Sequence, residues 1–165
     1  MTPDTPAIQD FYPEDAAHCY GCGRLNGAGL RIRTRWDGEG TLTRFTPSPE
    51  HTAIPGTVYG GMVASLLDCH GTGSASAAAL RREGMEIGEG PSPRFVTAAL
   101  QVDFLKPTPL GPELEIRGTI VEIKERKVVV EETLSANGIV TARGRVVAVR
   151  MREPAAEAGP GAPTL

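Results

Sequence analysis

Aromatic residues make up only 5% of the chain, with a single tryptophan, so stacking platforms for single-stranded nucleic acid are not expected. Excess positive charge is also lacking: 17 Lys and Arg stand against 20 Asp and Glu, a net charge of −3. That balance gives no electrostatic reason to expect DNA, RNA or an anionic membrane as a partner. No stretch approaches the roughly 18 consecutive apolar residues needed to cross a bilayer. The opening "MTPDTPAIQDFYPEDAAH" has no basic region followed by an apolar run, so no secretory signal is expected. Three cysteines, an odd number, do not make a disulfide framework. A soluble, reduced, cytoplasmic protein is the expectation.

What is present fits one domain with one core: 165 residues, 40% of them apolar. Residues 1–17 are polar and carry proline, which reads as a flexible lead-in. Residues 153–165, "EPAAEAGPGAPTL", read as a disordered tail. The folded domain is expected over residues 18–152.

Between those ends the periodicity is legible. "LRIRTRW" alternates, with Leu30, Ile32, Thr34 and Trp36 on one side and three arginines on the other, which predicts a half-buried strand. "GTLTRFTP" predicts a second strand after a turn at residues 37–40. From Gly60 to about Arg82 the apolar spacing becomes helical. Gly71, Gly73, Ser74, Ala75, Ser76 and Ala77 are all small, although each glycine costs a helix about 1 kcal/mol. Such a run makes sense where a sheet packs close to the helix backbone. The second half predicts about four long antiparallel strands, and Asn137-Gly138 between two β-branched runs marks a hairpin. Two strands, one helix and four strands give an α+β fold with the helix on or inside a curved sheet.

Within that helix Asp68 stands alone as an acid in an apolar run, "PGTVYGGMVASLLDCHG". Burying an unpaired carboxylate costs several kcal/mol or keeps it protonated. It is either a helix acid paired with Arg81, Arg82 or a loop N–H, or a working group.

"HTAIPGTVYGGMVASLLDCHG" followed by "TAALQVDFLKPTPLG" resembles the hotdog-fold thioesterases, specifically the PaaI-like acyl-CoA thioesterase group. The upstream "CYGCGRLNGAGLRIR" is similar to the lead-in of one branch of that group. The resemblance covers roughly His18 to Met151. It implies a long central helix wrapped by a curved antiparallel sheet of five or six strands, and Asp68 as the catalytic carboxylate, acting as general base or nucleophile. It implies Gly60, with Gly61, as the turn whose backbone N–H holds the thioester oxygen, and Thr97 as a hydroxyl that helps place water. Two positions depart from the pattern: Tyr59 stands where the group has His, and Ala53 where some members have Asn. His70 or His51 is expected to fill that gap.

A helix N-terminus independently suits an oxyanion, because its first N–H groups are unpaired and its dipole end is positive. Asp68 lies eight residues beyond Gly60, about 12 Å along a helix. One carbonyl cannot touch both, so a two-fold dimer sharing its sites is expected, alone or as a dimer of dimers. His70 is read as an active-site helper, with a satisfied core histidine as the alternative. It lies about 200° around the helix from Asp68, which argues against a dyad within one chain.

Cys19 and Cys22, beside His18, have the spacing of half a zinc site. The other ligands, Cys69 or His70, would have to arrive from far along the chain, so inert thiols in a glycine-rich turn are preferred and no metal is assigned. Cys69 is expected as a buried structural thiol. Arg81, Arg82, Arg94, Lys106 and the basic residues of 122–127 are candidates for the phosphates of coenzyme A.

The expected activity is hydrolysis of an acyl-CoA thioester. No cofactor is implied, because a thioester is already activated and needs only a base, water and an oxyanion hole. The rivals are a non-catalytic acyl-CoA or small-ligand binding module on the same scaffold and a hotdog dehydratase. The acid on the helix, without a catalytic His in the preceding turn, argues against the dehydratase.

Overall fold

Asn137 and Gly138 both adopt positive φ, 51° and 76°, and close a two-residue hairpin between the two longest-paired strands. In the structure, a computed structural model that describes residues 6–152, this hairpin sits in the middle of a six-stranded antiparallel sheet. The strands are β1 (Arg35–Asp37), β2 (Gly40–Phe45), β3 (Phe95–Phe104), β4 (Leu114–Ile123), β5 (Lys127–Ala136) and β6 (Ile139–Arg150), in the order β1-β2-β4-β5-β6-β3. One helix, α1 (Gly60–Arg82), packs against β3, β4, β5 and β6. This is the α+β hotdog arrangement: a curved antiparallel sheet around one long helix.

The small residues of α1 are explained by close approach. A Cβ on Gly71 would lie 2.6–2.7 Å from the branched carbons of Val146 on β6. A Cβ on Gly73 would lie 2.5 Å from Gln9 Nε2 and 2.8 Å from Thr34 Oγ1. From Cys69 to Leu80 every residue of the helix is buried. The helix is therefore sheathed on nearly all sides, and its sequence is small rather than amphipathic for that reason.

Two expectations are corrected. The strand predicted over residues 30–36 begins only at Arg35. Ile32 and Thr34 are buried as the alternation implied, but Arg31 has φ 59° and breaks the extended backbone. The amides of Leu30 and Ile32 bond to the carbonyls of Tyr20 and Gly21, and the amide of Thr34 bonds to the side chain of Gln9. The same burial alternation thus arises without a strand ladder.

The expected flexible lead-in is, over residues 6–17, part of the core. Ala7, Ile8, Tyr12 and Ala17 are at most 2% exposed, two short 3-10 turns shape the segment, and Arg33 pairs with Asp10 at 3.1 Å. The predicted tail, residues 153–165, lies outside the described residues. Among the described residues, no helix is long and apolar enough to cross a membrane.

Candidate active site

Three successive residues of α1 face three different walls of the fold. Asp68 faces β3, where the Thr97 hydroxyl donates a short hydrogen bond to its Oδ1. Cys69 faces the N-terminal loop, its Sγ 3.9 Å from that of Cys19. His70 faces β2, between Thr41 and Thr43.

Thr97 owes its aim to a β-bulge. Thr97 pairs with Ala148 and Ala99 with Val147, so Ala98 is an extra residue on β3. Bulges bend a strand and re-aim its side chains, and they recur beside active sites. Asp68 is half-buried. The ion pair considered for Asp68 is not formed. The Arg81 guanidinium lies 3.4 Å over the Trp36 ring, and Arg82 donates to the carbonyls of Lys124 and Glu125.

A second carboxyl, which the sequence reading missed, lies near Asp68. Glu132 of β5 is 3% exposed and neither of its oxygens has a hydrogen-bond partner among the described residues. Burial pushes its pKa well above the usual carboxylate range, and the negative charge of Asp68 adds to the push. Glycines flank it: Glu132 pairs with Gly118 on β4 and with Gly144 on β6. A Cβ on Gly144 would sit 2.8 Å from Glu132 Oε2 and 3.2 Å from Leu67. The parity of "VVVEETL" held the signal, since Val128, Val130 and Leu134 point inward and Glu132 shares their parity.

His70 is corrected from active-site helper to core residue. It is fully buried. Thr43 Oγ1 donates to the Arg33 carbonyl at 2.8 Å, so it accepts from His70 Nδ1–H at 2.8 Å; Nε2 lies 3.1 Å from Thr41 Oγ1, which is itself 2.6 Å from Ser74 Oγ. Burial drives its pKa down to about 3, so the ring is neutral. The expectation that it points away from Asp68 agrees with this placement.

At the N-terminus of α1, Tyr59 is the N-cap residue and Gly60 and Gly61 are the first two helical positions, both exposed. Their N–H groups have no helical carbonyl to bind. The Tyr59 ring lies across Gly61, where a Cβ would meet Tyr59 Cε2 at 2.5 Å, so a side chain there would have to push the ring aside. A cleft of about 300 Å³ opens beside Gly60, lined by Val58, Val63, Phe104, Lys106 and Thr108. The preceding loop, with Ala53, folds back on itself through the bridge Thr52–Val58. His51 is braced inside that loop: its Nδ1 accepts from the Ser48 amide at 3.1 Å and its ring stacks on Phe45.

The structure thus joins Asp68 to Thr97 and sets Gly60, Gly61 and Tyr59 together at the helix start. It does not bring Arg81, Arg82 or Arg94 to the carboxylate. The first two lie at the far end of α1, and Arg94 stacks 4.8 Å over the Tyr12 ring.

A family model for the thioesterase superfamily matches residues 55–143, which include the Gly-Gly turn, Asp68 and Thr97. The chain belongs to the thioesterase superfamily. A thioesterase superfamily protein from Shewanella loihica PV-4 is 51% identical over 87% of this chain and 99% of its own, with a TM-score of 0.66. The Escherichia coli PaaI protein from the phenylacetic acid degradation operon is 17% identical over 74% of this chain and 81% of its own, with a TM-score of 0.60. Thioesterase superfamily member 2 of zebrafish is 15% identical over 83% and 94%, with a TM-score of 0.59. The last two show likeness of fold alone. No curated protein matches the chain. Membership supports thioester hydrolysis as the chemistry of this superfamily protein.

Proposed function

We propose that the protein hydrolyses acyl-CoA thioesters to the free acid and coenzyme A, at sites shared by two copies of the chain. The observation that carries this reading is the Asp68–Thr97 hydrogen bond. It fixes one carboxylate oxygen and leaves the other to act on water or on the thioester carbon. As general base, Asp68 takes a proton from water as the oxygen attacks the carbonyl carbon. The carbonyl becomes an oxyanion, held by the Gly60 amide at the positive end of α1. Collapse of that intermediate breaks the carbon–sulfur bond, and the proton leaves with the thiolate as coenzyme A thiol.

Gly60 and Asp68 of one chain stand about 12 Å apart, so the amide and the carboxylate of one site come from different chains. The free edge of β3 suits such pairing. Among the described residues it is bonded on one side only; it is ten residues long and exposes Val96 and Phe104. Long unpaired edges in soluble proteins are normally covered. Three cysteines free of disulfides fit a reducing compartment such as the cytoplasm.

The test is thiol release from a panel of acyl-CoAs, wild type against Asp68→Asn. A loss of at least about 10²-fold in turnover is expected, the scale of a lost general base. Retained turnover in the variant overturns the assignment of Asp68. Binding of acyl-CoA without any thiol release by the wild type would make the chain a binding module.

A further inference from the structure

The reaction leaves one cluster of reactive side chains unused. Cys19 and Cys22 of the N-terminal loop and Cys69 of α1 are free cysteines, and their three sulfurs all lie within 4.8 Å of one another. We propose that Cys19, Cys22 and Cys69 bind a thiophilic metal ion through three thiolates, with the fourth position open beside Cys19.

The spacing fits such an ion. Metal–sulfur bonds of about 2.3 Å put sulfurs about 3.8 Å apart in a tetrahedron and about 4.0 Å apart in a trigonal plane; the Cys19–Cys69 separation is 3.9 Å. The third ligand that sequence spacing could not supply arrives from 47 residues beyond Cys22 because the loop docks on the helix.

The two glycines of "CYGCG" permit that docking. A Cβ on Gly21 would collide with the Cys69 sulfur, and a Cβ on Gly23 would lie 2.5–2.6 Å from backbone atoms of Ala17 and Cys19. The turn is closed by the Gly23 amide on the Cys19 carbonyl at 2.7 Å. Cys22 and Cys69 are buried while Cys19 is half-buried, so the cluster has a dry base and one side open to solvent.

The thiolate is the ligand, so a divalent ion completes three metal–sulfur bonds by releasing the cysteine protons to solvent. The product carries one negative charge. The Arg94 guanidinium is the neighbouring countercharge, and its Nη1 is buried with no hydrogen-bond partner among the described residues. Soft sulfur donors select zinc-like and cuprous ions over hard cations. A bound ion would clip the N-terminal loop to the helix one residue from Asp68.

The test uses the full chain, reduced and freed of reductant without oxygen, and titrated with Co2+ as a coloured substitute for Zn2+. Binding of about one equivalent is expected, with sulfur-to-cobalt charge-transfer absorption that Zn2+ abolishes. Zn2+ at about a hundredfold over its dissociation constant should raise Tm by about 5–10 °C. Cys69→Ser and Cys19→Ser should each lose the absorption, and the half-buried Cys19 guards against a folding failure at Cys69. Fully reduced wild type that takes up no Co2+, or an unchanged spectrum in folded Cys19→Ser, overturns the proposal. So does a chain that is isolated with a Cys19–Cys22 disulfide and binds no Co2+ once reduced.

Discussion

Thr97 on the sheet donates its hydroxyl hydrogen to Oδ1 of Asp68 on the helix. A neutral donor on a carboxylate orients it without cancelling its charge, and such bonds are worth about 1.5–3 kcal/mol. Thr97→Val keeps the shape and removes the donor. Its kcat should fall about tenfold to a hundredfold with KM little changed, and Thr97→Ser should recover most of the loss. Steady-state kinetics on the best acyl-CoA decide this. A kcat for Thr97→Val within about twofold of wild type would show that the bond has no part in turnover.

The shared site predicts complementation. Gly60 is the first helical position and Tyr59 before it has φ −70° and ψ 145°, the conformation that a following proline requires. Proline is well tolerated at that position and has no N–H. Gly60→Pro should therefore fold, lack the oxyanion donor and be inactive. Mixed with Asp68→Asn, it should recover activity, because half the sites in a heterodimer hold both groups intact. Verified subunit exchange with no regain of thiol release would rule out a site built from two chains.

His70 predicts sensitivity to acid. Its folded pKa, about 3, lies below the ordinary value of 6.5. The unfolded chain therefore takes up a proton that the folded chain refuses, and stability falls as pH drops through 6.5 toward 3. Between about pH 7.5 and about pH 5.5 that loss is about 1.4 kcal/mol. Urea unfolding of His70→Gln at the two pH values should show a smaller fall by that amount. An equal fall in both proteins would mean that the imidazole is charged in the fold.

Glu132 predicts the opposite slope. Its folded pKa lies well above 4.5, so over that window the folded chain holds a proton that the unfolded chain has lost. Stability then falls as pH rises above 4.5, by up to about 1.4 kcal/mol per pH unit. Glu132→Gln keeps the shape and cannot ionise. Its stability relative to wild type should rise from about pH 5 to about pH 7 by chemical denaturation. A difference independent of pH would show an ionised Glu132.

Much of this was legible in the sequence because it is local. The Asn137-Gly138 hairpin and the bounds of α1 each depend on neighbours within a few residues. Gly71 and Gly73 announced a close neighbour, which proved to be Val146 for one and Gln9 with Thr34 for the other. What escaped depends on distant partners. The alternation at residues 30–34 looked like a strand, but its hydrogen bonds run to Gln9, Tyr20 and Gly21. Ile8 and Tyr12 fill the core from a stretch too polar and too rich in proline to suggest it. His70 reads as a helper because Tyr59 and Ala53 leave a gap in the expected site, but its threonine partners lie on β2, far along the chain; the helix's turn of about 100° per residue aims it away from Asp68.

That turn gives Asp68, Cys69 and His70 a consequence for how the chain tolerates change. Each holds the helix against a different wall, through Thr97, Cys19 and Thr43. Together they fix its rotation as three stays fix a mast. A residue inserted between Gly61 and Leu67 would rotate all three by about 100° at once. The carboxylate would swing from the Thr97 hydroxyl toward a neighbouring wall, and the imidazole would leave its two threonines. Substitutions can be absorbed one wall at a time, but a change of length in this part of the helix cannot. Insertions should therefore be tolerated in the loops on either side of the helix and rejected within its first two turns.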